Sequence, residues 1–211
     1  MVEFISSPAG IAVIIGTILV SLTLHEAMHA FTAHWLGDDT AYLQGRLTLN
    51  PLKHIDPFLT IGMPVLLALM GAPVLGAAKP VPFNPFRVRF EEYGAALVAI
   101  AGPLTNLVLA IAAAFIFRAV GPMLPEILLM GLLTFIIVNI GFFVFNMIPF
   151  PPLDGSRALY AVAPEPVQKF MTQIESFGLF GFFIFFFLGF PYIAPLLGTW
   201  IDTIYRLLLG A

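Results

Sequence analysis

Two histidines flank a glutamate in the run His25-Glu26-Ala27-Met28-His29. On an α-helix, residues four positions apart share one face, so both imidazoles could hold the same zinc ion. The glutamate beside the first histidine could then act as the general base that takes a proton from water. These residue types at this spacing predict metal-assisted hydrolysis.

The surroundings of this motif strengthen the prediction. The motif lies in an otherwise uncharged apolar run, where an ionisable side chain is costly to keep without a partner. The alternative is that the three side chains only face a packed polar core. A metal ion explains better why two histidines and a glutamate occur together there.

A catalytic zinc ion usually has three protein ligands and one position open to water. His34 is rotated off the face of the motif, and His54 and Asp56 lie in a polar loop where charge is ordinary. Asp154 is different, because the three prolines within 149–152 break the preceding helix and leave it on irregular backbone. Such backbone at membrane depth is tolerated where it lines a cavity. Asp154 is therefore the candidate whose position most needs an explanation.

The elements that must hold these residues are strongly apolar. The 211 residues are 60% hydrophobic and only 10% charged, with a mean hydropathy of +0.99. Soluble domains carry about 25% charged residues, so a soluble globule, a disordered tail and a nucleic-acid binder are all excluded. The absence of cysteine excludes a disulfide scaffold and a thiolate metal site. We predict a single membrane-embedded domain over residues 1–211.

Six apolar runs predict the membrane elements: about 8–36, 58–78, 93–118, 127–148, 174–190 and 193–209. The first lacks the positive start of a signal peptide and is predicted to remain in the mature protein. Alternating residues at 42–49 and 86–90 predict short strands at the membrane surface. The predicted fold class is an all-α polytopic membrane protein with about five to six transmembrane helices and short surface strands.

At these residues the chain resembles the site-2 protease family of intramembrane zinc metalloproteases. The matching pieces are His25-Glu26-x-x-His29, the segment Gly102-Pro103-Leu104-Thr105-Asn106, and Asn146 followed by Leu153-Asp154-Gly155. The resemblance implies one zinc ion per chain, with His25, His29 and Asp154 as ligands and Glu26 as the catalytic base. It also implies a supporting or substrate-orienting role for Asn146 and Asn106.

The same resemblance implies a zinc-dependent endopeptidase that cuts peptide bonds in or near transmembrane segments during regulated intramembrane proteolysis. Its partners would be a transmembrane protein substrate and the lipid bilayer, with no nucleic acid. We expect a catalytic core at about 8–157 and accessory helices at about 172–209. An unwound substrate could pair with the predicted surface strands.

Two other functions stay open at this point. A transporter or other non-catalytic metal-binding membrane protein would also use intramembrane histidine and aspartate, although a transporter is expected to show an internal repeat and none is seen. An inactive relative would have no need of Glu26.

Depth and charge together favour a re-entrant segment at 58–78, although its 21 uncharged residues are long enough to span the membrane. His25 lies about 17 residues, or about 26 Å, into the first helix, so Asp154 reaches it only if the helix at 127–148 runs in the same direction. With 58–78 re-entrant, eight of the nine Lys and Arg residues, Arg206 among them, share one face and only Arg118 lies opposite. That excess predicts a multi-pass protein of the cell (plasma or inner) membrane, with its active site toward the cytoplasm.

Overall fold

A computed structural model describes residues 4, 6–56, 60, 62 and 79–210, and within these the chain is helical. The α-helices are α1 (Pro8–Trp35), α2 (Thr40–Leu43), α3 (Glu91–Val120), α4 (Glu126–Asn146), α5 (Asp154–Val162), α6 (Glu165–Ser176), α7 (Gly178–Ile184) and α8 (Phe190–Leu209). Short 3-10 helices lie at Pro51–Lys53 and Gly121–Met123, and a π-helical turn at Phe185–Gly189 joins α7 to α8.

Four helical stretches in the described residues are long and apolar enough to cross a membrane: Pro8–Trp35, Glu91–Met123, Glu126–Asn146 and Phe180–Leu209. Their outer surfaces expose large apolar side chains, such as Ile15, Val108 and Phe115. Soluble monomers rarely expose contiguous apolar surface of this kind. The all-helical class is therefore confirmed for the described residues, which contain four candidate spans where five to six transmembrane helices were predicted.

Helix α3 lies at the centre of the bundle and packs against α1, α4 and α5. Its contact with α4 uses small residues, Ala110, Ala113 and Ala114, against the fully buried Ile136 and Ile140. Small residues let the backbones of neighbouring membrane helices approach closely. This close packing positions the polar groups of three helices within hydrogen-bonding distance of one another.

The helix directions follow from a backbone contact at the end of α1. The Arg89 N–H donates to the Leu36 carbonyl over 2.9 Å, so α3 starts where α1 ends and runs back along it. Helix α4 then runs in the same direction as α1, which is what the position of Asp154 required. The predicted re-entrant segment at 58–78 lies outside the described residues except for Thr60 and Gly62. Its flanks lie together, because the Lys79 N–H donates to the His54 carbonyl over 2.9 Å.

The structure does not confirm the surface strands predicted at 42–49 and 86–90, since both stretches form turns. In the first, helix α2 ends at Leu43 and Gly45 has a φ of +65°, a left-handed conformation that favours glycine. In the second, Phe90 and Glu91 have φ values of +70° and +50°, which a strand cannot accommodate. Strand pairing with a substrate at these two stretches therefore loses its basis.

The two C-terminal apolar runs form one candidate span instead of two. Helix α6 is a separate amphipathic helix, and α7, the π turn and α8 continue as a single apolar stretch from Phe180 to Leu209. Pro191 does not interrupt it, because proline in the first turn of a helix has no backbone hydrogen bond to lose and the wider π turn precedes it.

This correction moves Arg206 to the opposite end of the bundle. A Cβ placed on Gly210 would lie 3.7 Å from the guanidinium carbon of Arg118, so α8 ends beside the last turn of α3. Arg206 therefore lies at the Arg118 end and not with the other cations. The remaining seven of the nine cations lie on the segments between α1 and α3 or between α4 and α7: Arg46, Lys53, Lys79, Arg87, Arg89, Arg157 and Lys169.

Candidate metal centre

Helix α1 presents both histidines of the motif to the interior of the bundle. It begins at Pro8, and the Ser7 hydroxyl accepts the Gly10 N–H over 3.0 Å, a typical cap at a helix start. The apolar run then continues as unbroken helix through His25 and His29, which are both buried. Their Nε2 atoms lie 3.0 Å apart because the two side chains are one helical turn apart on the same face.

Asp154 joins the two histidines from a distant part of the sequence. It is the first residue of α5, directly after the proline-rich turn that ends α4. Its Oδ2 atom lies 3.2 Å from Nε2 of His25 and 3.5 Å from Nε2 of His29. The turn requires glycine at position 155, since a Cβ there would lie 2.4 Å from the Met147 carbonyl oxygen.

These three donor atoms fit a zinc ion. Zinc bonds to imidazole nitrogen and carboxylate oxygen are about 2.0–2.2 Å long, so the donors of a tetrahedral site lie about 3.3–3.6 Å apart. The three observed separations, 3.0, 3.2 and 3.5 Å, are close to that spacing. Two imidazoles and one carboxylate are also a usual donor set for catalytic zinc. The described residues therefore contain a candidate zinc site at His25, His29 and Asp154.

Each histidine uses its other ring nitrogen to hold its orientation. Nδ1 of His29 lies 2.7 Å from the Val98 carbonyl, and Nδ1 of His25 lies 2.6 Å from Oδ1 of Asn106. Both partners are acceptors, so each Nδ1 carries the proton and each Nε2 keeps its lone pair for a metal. Such outer contacts orient metal-binding histidines in proteins generally.

Gly102 leaves room for the ion. A Cβ at this position of α3 would lie 2.4 Å from Nε2 of His29 and 2.7 Å from Nε2 of His25. Any side chain there would occupy the space between the two imidazole nitrogens. Residue 102, the first of the segment 102–106, must therefore lack a side chain. Asn106, the last residue of the segment, contacts His25.

Glu26 is buried and contacts the segment that precedes α3. Its Oε2 accepts the Val81 N–H over 3.1 Å. The same segment is held by Arg46, which is only 5% exposed and whose Nη2 donates to the carbonyls of Lys79 and Pro80. Burial lowers the pKa of the Arg46 guanidinium, and the negative charge of Glu26 opposes that shift. Sequence reasoning missed both Val81, which contacts the predicted base, and Arg46, whose charge interacts with it.

Asp38 fastens this segment to the end of α1. Its fully buried carboxylate accepts the Asn84 N–H over 2.6 Å and the N–H and hydroxyl of Thr40. Burial alone would raise the pKa of the Asp38 carboxyl, but these hydrogen bonds and the nearby Arg87 charge hold it below its usual value.

Other candidates from the sequence lie elsewhere. His34 contacts Asp39 at the exposed end of α1, with Nδ1 and Oδ1 2.7 Å apart. His54 is buried, and its Nε2 lies 2.8 Å from the Thr48 carbonyl. The Asn146 amide donates to the Phe142 carbonyl in its own helix over 3.0 Å.

Two further polar residues near the centre were missed. Asn139 and Ser21 are fully buried and connect to Asn106 through hydrogen bonds. Asn139 carried a usable signal, since a polar residue inside an apolar run usually faces a polar partner.

Curated proteins similar to this chain are named as metalloproteases. "Putative zinc metalloprotease YwhC" of Bacillus subtilis (strain 168) is 40% identical over 200 residues, which is 90% of this chain and 88% of that protein. "Putative zinc metalloprotease Rip2" of Mycolicibacterium smegmatis is 35% identical over 161 residues, 76% of this chain and 61% of the relative. The protein of the same name from Mycobacterium tuberculosis is 32% identical over 182 residues, 86% and 67% respectively. No family model and no solved structure matches the chain significantly.

Proposed function

This chain belongs to the site-2 protease family of zinc metalloproteases, and from that premise we propose that it is an intramembrane endopeptidase. Its substrate would be a transmembrane protein, cut in or near a membrane-spanning segment in regulated intramembrane proteolysis. The catalytic core would comprise α1 to α5, at about 8–157, with accessory helices at about 172–209.

The observation that carries this proposal is the position of the three donor atoms. His25, His29 and Asp154 meet among helices that are apolar enough to cross a membrane. A metal site built there would act on a peptide bond that enters the bilayer region. A peripheral site would be expected on a loop or at a helix end exposed to water.

The residues of this chain have distinct roles in the proposed reaction. His25, His29 and Asp154 would hold one zinc ion, and Asn106 and the Val98 carbonyl keep the two imidazoles oriented. When bound there, zinc would supply Lewis-acid chemistry, polarising a peptide carbonyl and making water more acidic. Asn146, one turn before the proline-rich segment, is the proposed substrate-orienting residue.

Glu26 would move the proton. Because its Oε2 accepts the Val81 N–H, Oε1 is the oxygen that takes a proton from the attacking water. The same carboxyl group then gives a proton to the departing amine, so one side chain serves as base and acid in turn. The contact with Val81 restrains the carboxylate, which keeps Oε1 oriented through both transfers.

The distribution of cations supports a cytoplasmic active site in a multi-pass plasma-membrane protein. Seven of the nine Lys and Arg residues lie on the segments between α1 and α3 or between α4 and α7, and only Arg118 and Arg206 lie at the end where α3 finishes. Cytoplasmic loops carry the excess of Lys and Arg in membrane proteins.

The proposal is tested by reconstituting the purified protein in liposomes with a model substrate that contains one transmembrane segment. We expect a cut within or next to that segment, located by mass spectrometry, which a zinc chelator abolishes and added zinc restores. A protein that binds zinc but leaves the substrate intact would be a non-catalytic metal binder. Zinc entry into the liposomes without cleavage would favour a transporter instead.

A further inference from the structure

A line of hydrogen bonds leads from the metal centre across three helices. Nδ1 of His25 in α1 lies 2.6 Å from Oδ1 of Asn106 in α3. The Asn106 amide nitrogen donates to Oδ1 of Asn139 in α4 over 2.9 Å. The Asn139 amide nitrogen donates in turn to the Ser21 hydroxyl over 2.9 Å and to the Phe135 carbonyl over 2.8 Å.

The hydrogen bond from Asn139 to the Phe135 carbonyl determines which group donates and which accepts along the whole line. An asparagine side chain has one acceptor oxygen and one donor NH2 group, and rotating it by half a turn exchanges them. The Phe135 carbonyl can only accept, so the NH2 of Asn139 must point to it. The oxygen of Asn139 therefore faces Asn106, which must present its own NH2 there and its oxygen to His25.

The two histidines differ in whether the group that orients them needs a fixed orientation of its own. His29 is oriented by the Val98 carbonyl, a backbone acceptor that cannot exchange with a donor. His25 is oriented by an amide that could present either group, and the acceptors that fix this amide are Oδ1 of Asn139 at 2.9 Å and, at a longer 3.4 Å, the Ser21 carbonyl. With the amide reversed, an NH2 would face Nδ1 of His25, and that ring would carry its proton on Nε2, the nitrogen that faces the metal position.

Burial shows that Asn139 is not simply a tolerated polar residue. Asn106, Asn139 and Ser21 are each 0% exposed, and Asn139 lies among the fully buried apolar side chains Ile136 and Ile140. An unbonded amide there would be costly, whereas an apolar side chain of similar size would suit these neighbours.

We infer that Asn139 is a positioning residue for the metal centre. It sets the orientation of the Asn106 amide, which in turn holds His25 with Nε2 free to bind the ion. The inference rests on the proposed function, because it presumes that His25 is a metal ligand.

The test measures zinc affinity by competition with a chelator, using the purified full chain. Removal of an outer partner of a metal ligand typically weakens binding about 10- to 100-fold, a loss we expect for Asn106→Ala. Asn139 acts one contact further out, so Asn139→Leu should lose about 10-fold, the lower end of that range. Ser21→Ala should change affinity by less than about threefold, because the Phe135 carbonyl still orients Asn139. Thr134→Val is the matched control, since this buried side chain on α4 donates to the Met130 carbonyl in its own helix.

A double-mutant comparison separates positioning from packing. If Asn139 acts through Asn106, Asn139→Leu should add little to the loss already caused by Asn106→Ala. The unfolding temperature of each metal-free variant is recorded in parallel. If Asn139 only served packing, Asn139→Leu would lower the unfolding temperature equally with and without Asn106→Ala. If Asn139→Leu does not fold, Asn139→Ala takes its place in the same comparison.

Two results would overturn the inference: zinc affinity unchanged in the Asn139 variants, or losses that add in full with Asn106→Ala. Failure of the proposed function would look different. In that case the wild-type chain itself would bind no zinc, or would bind zinc and cleave nothing while its affinity still depended on Asn139.

Discussion

Helix α1 carries two histidine–aspartate contacts inside the bundle, both to Asp154, and a third at its exposed end. At the exposed end, His34 and Asp39 lie 2.7 Å apart, with side chains 39% and 55% exposed. Inside, Nε2 of His25 lies 3.2 Å from Oδ2 of Asp154, with side chains 5% and 21% exposed. The shorter contact is thus the local, solvated one.

The difference between the His25 and His34 contacts explains why the inner one is the candidate metal site. A surface ion pair contributes about 0–1 kcal/mol, because water and salt screen it and two side chains must be ordered. The inner contact has a second imidazole, an outer acceptor on each Nδ1 and a glycine that leaves space for an ion. Proximity of the two residue types is common to both sites and does not distinguish them.

The largest expected effect comes from removing the aspartate of the inner contact. Asp154→Ala would leave two imidazoles from one helical turn, too few protein ligands for a stable catalytic zinc. We expect zinc content, measured by atomic emission on purified protein, to fall well below one ion per chain, and proteolysis to become undetectable. Asp39→Ala is the matched control and should keep the zinc content and the proteolytic activity of the wild type. Full zinc content in Asp154→Ala would mean that another residue completes the site.

The space for the ion can be tested without touching a ligand. Gly102→Ala adds a Cβ 2.4 Å from Nε2 of His29, so zinc should be excluded although every donor remains. Gly141→Ala is a matched control on α4, where an added Cβ meets nothing within 4 Å. Equal zinc contents in the two variants would contradict the proposed position of the ion.

Glu26→Gln separates proton transfer from metal binding. The substitution keeps the size of the side chain and an oxygen for the Val81 N–H, but removes the base. We expect zinc content to stay at the wild-type level and the cleavage rate to fall about 10²- to 10⁴-fold. A rate within a few-fold of wild type would rule out Glu26 as the base.

Two features of the inner contact could be predicted from the sequence: a spacing within one helix, and a polar residue in a place where helix would otherwise be expected. The spacing of His25 and His29 is a property of one helix, and Asp154 stood out because prolines leave it on irregular backbone in an apolar region. The contact between them depends on α1 and α4 running in the same direction. The direction of α4 could be argued from the depth of His25 in α1 and from the distribution of Lys and Arg residues in the sequence.

What could not be predicted depends on the rotation of one helix against another. Asn139 reaches Asn106 only because the alanines of α3 let α4 approach closely and in one register. The need for glycine at 102 likewise appears only when α3 lies against the histidines. The strands at 42–49 and 86–90 were mispredicted because turns with left-handed residues, such as Phe90, can show the same apolar alternation.

Two neighbouring aspartates at the end of α1 also differ in that one is buried and the other exposed. Asp38 is fully buried and accepts hydrogen bonds from Thr40 and Asn84, whereas Asp39 is exposed. Asp38→Asn replaces an acceptor oxygen by a donor, and loss of such a buried partner costs about 1–3 kcal/mol of unfolding free energy. Asp39→Asn should cost much less.

The pH dependence of this effect has a definite sign. Because folding lowers the pKa of Asp38, its carboxylate stabilises the folded state above the ordinary aspartate pKa, and that contribution is lost as pH falls through the lowered folded-state value. The difference in unfolding temperature between wild type and Asp38→Asn should therefore be full at pH 7 and shrink in strongly acidic buffer. A difference that grows on acidification would contradict the assigned hydrogen bonds.

The smallest effect is expected at the exposed contact itself. His34 lies five residues beyond His29 and pairs with a solvated aspartate, so His34→Ala should change unfolding free energy by no more than about 0.5 kcal/mol. Zinc content and cleavage rate should also match wild type, because the α1 face that carries His25 and His29 is unchanged. His29→Ala in the same assay should lose zinc, although it removes the same side chain from the same helix. If instead His34→Ala lost zinc and His29→Ala kept it, the ion would belong to the exposed end of α1, and the inner contact would be a buried polar pair without a metal.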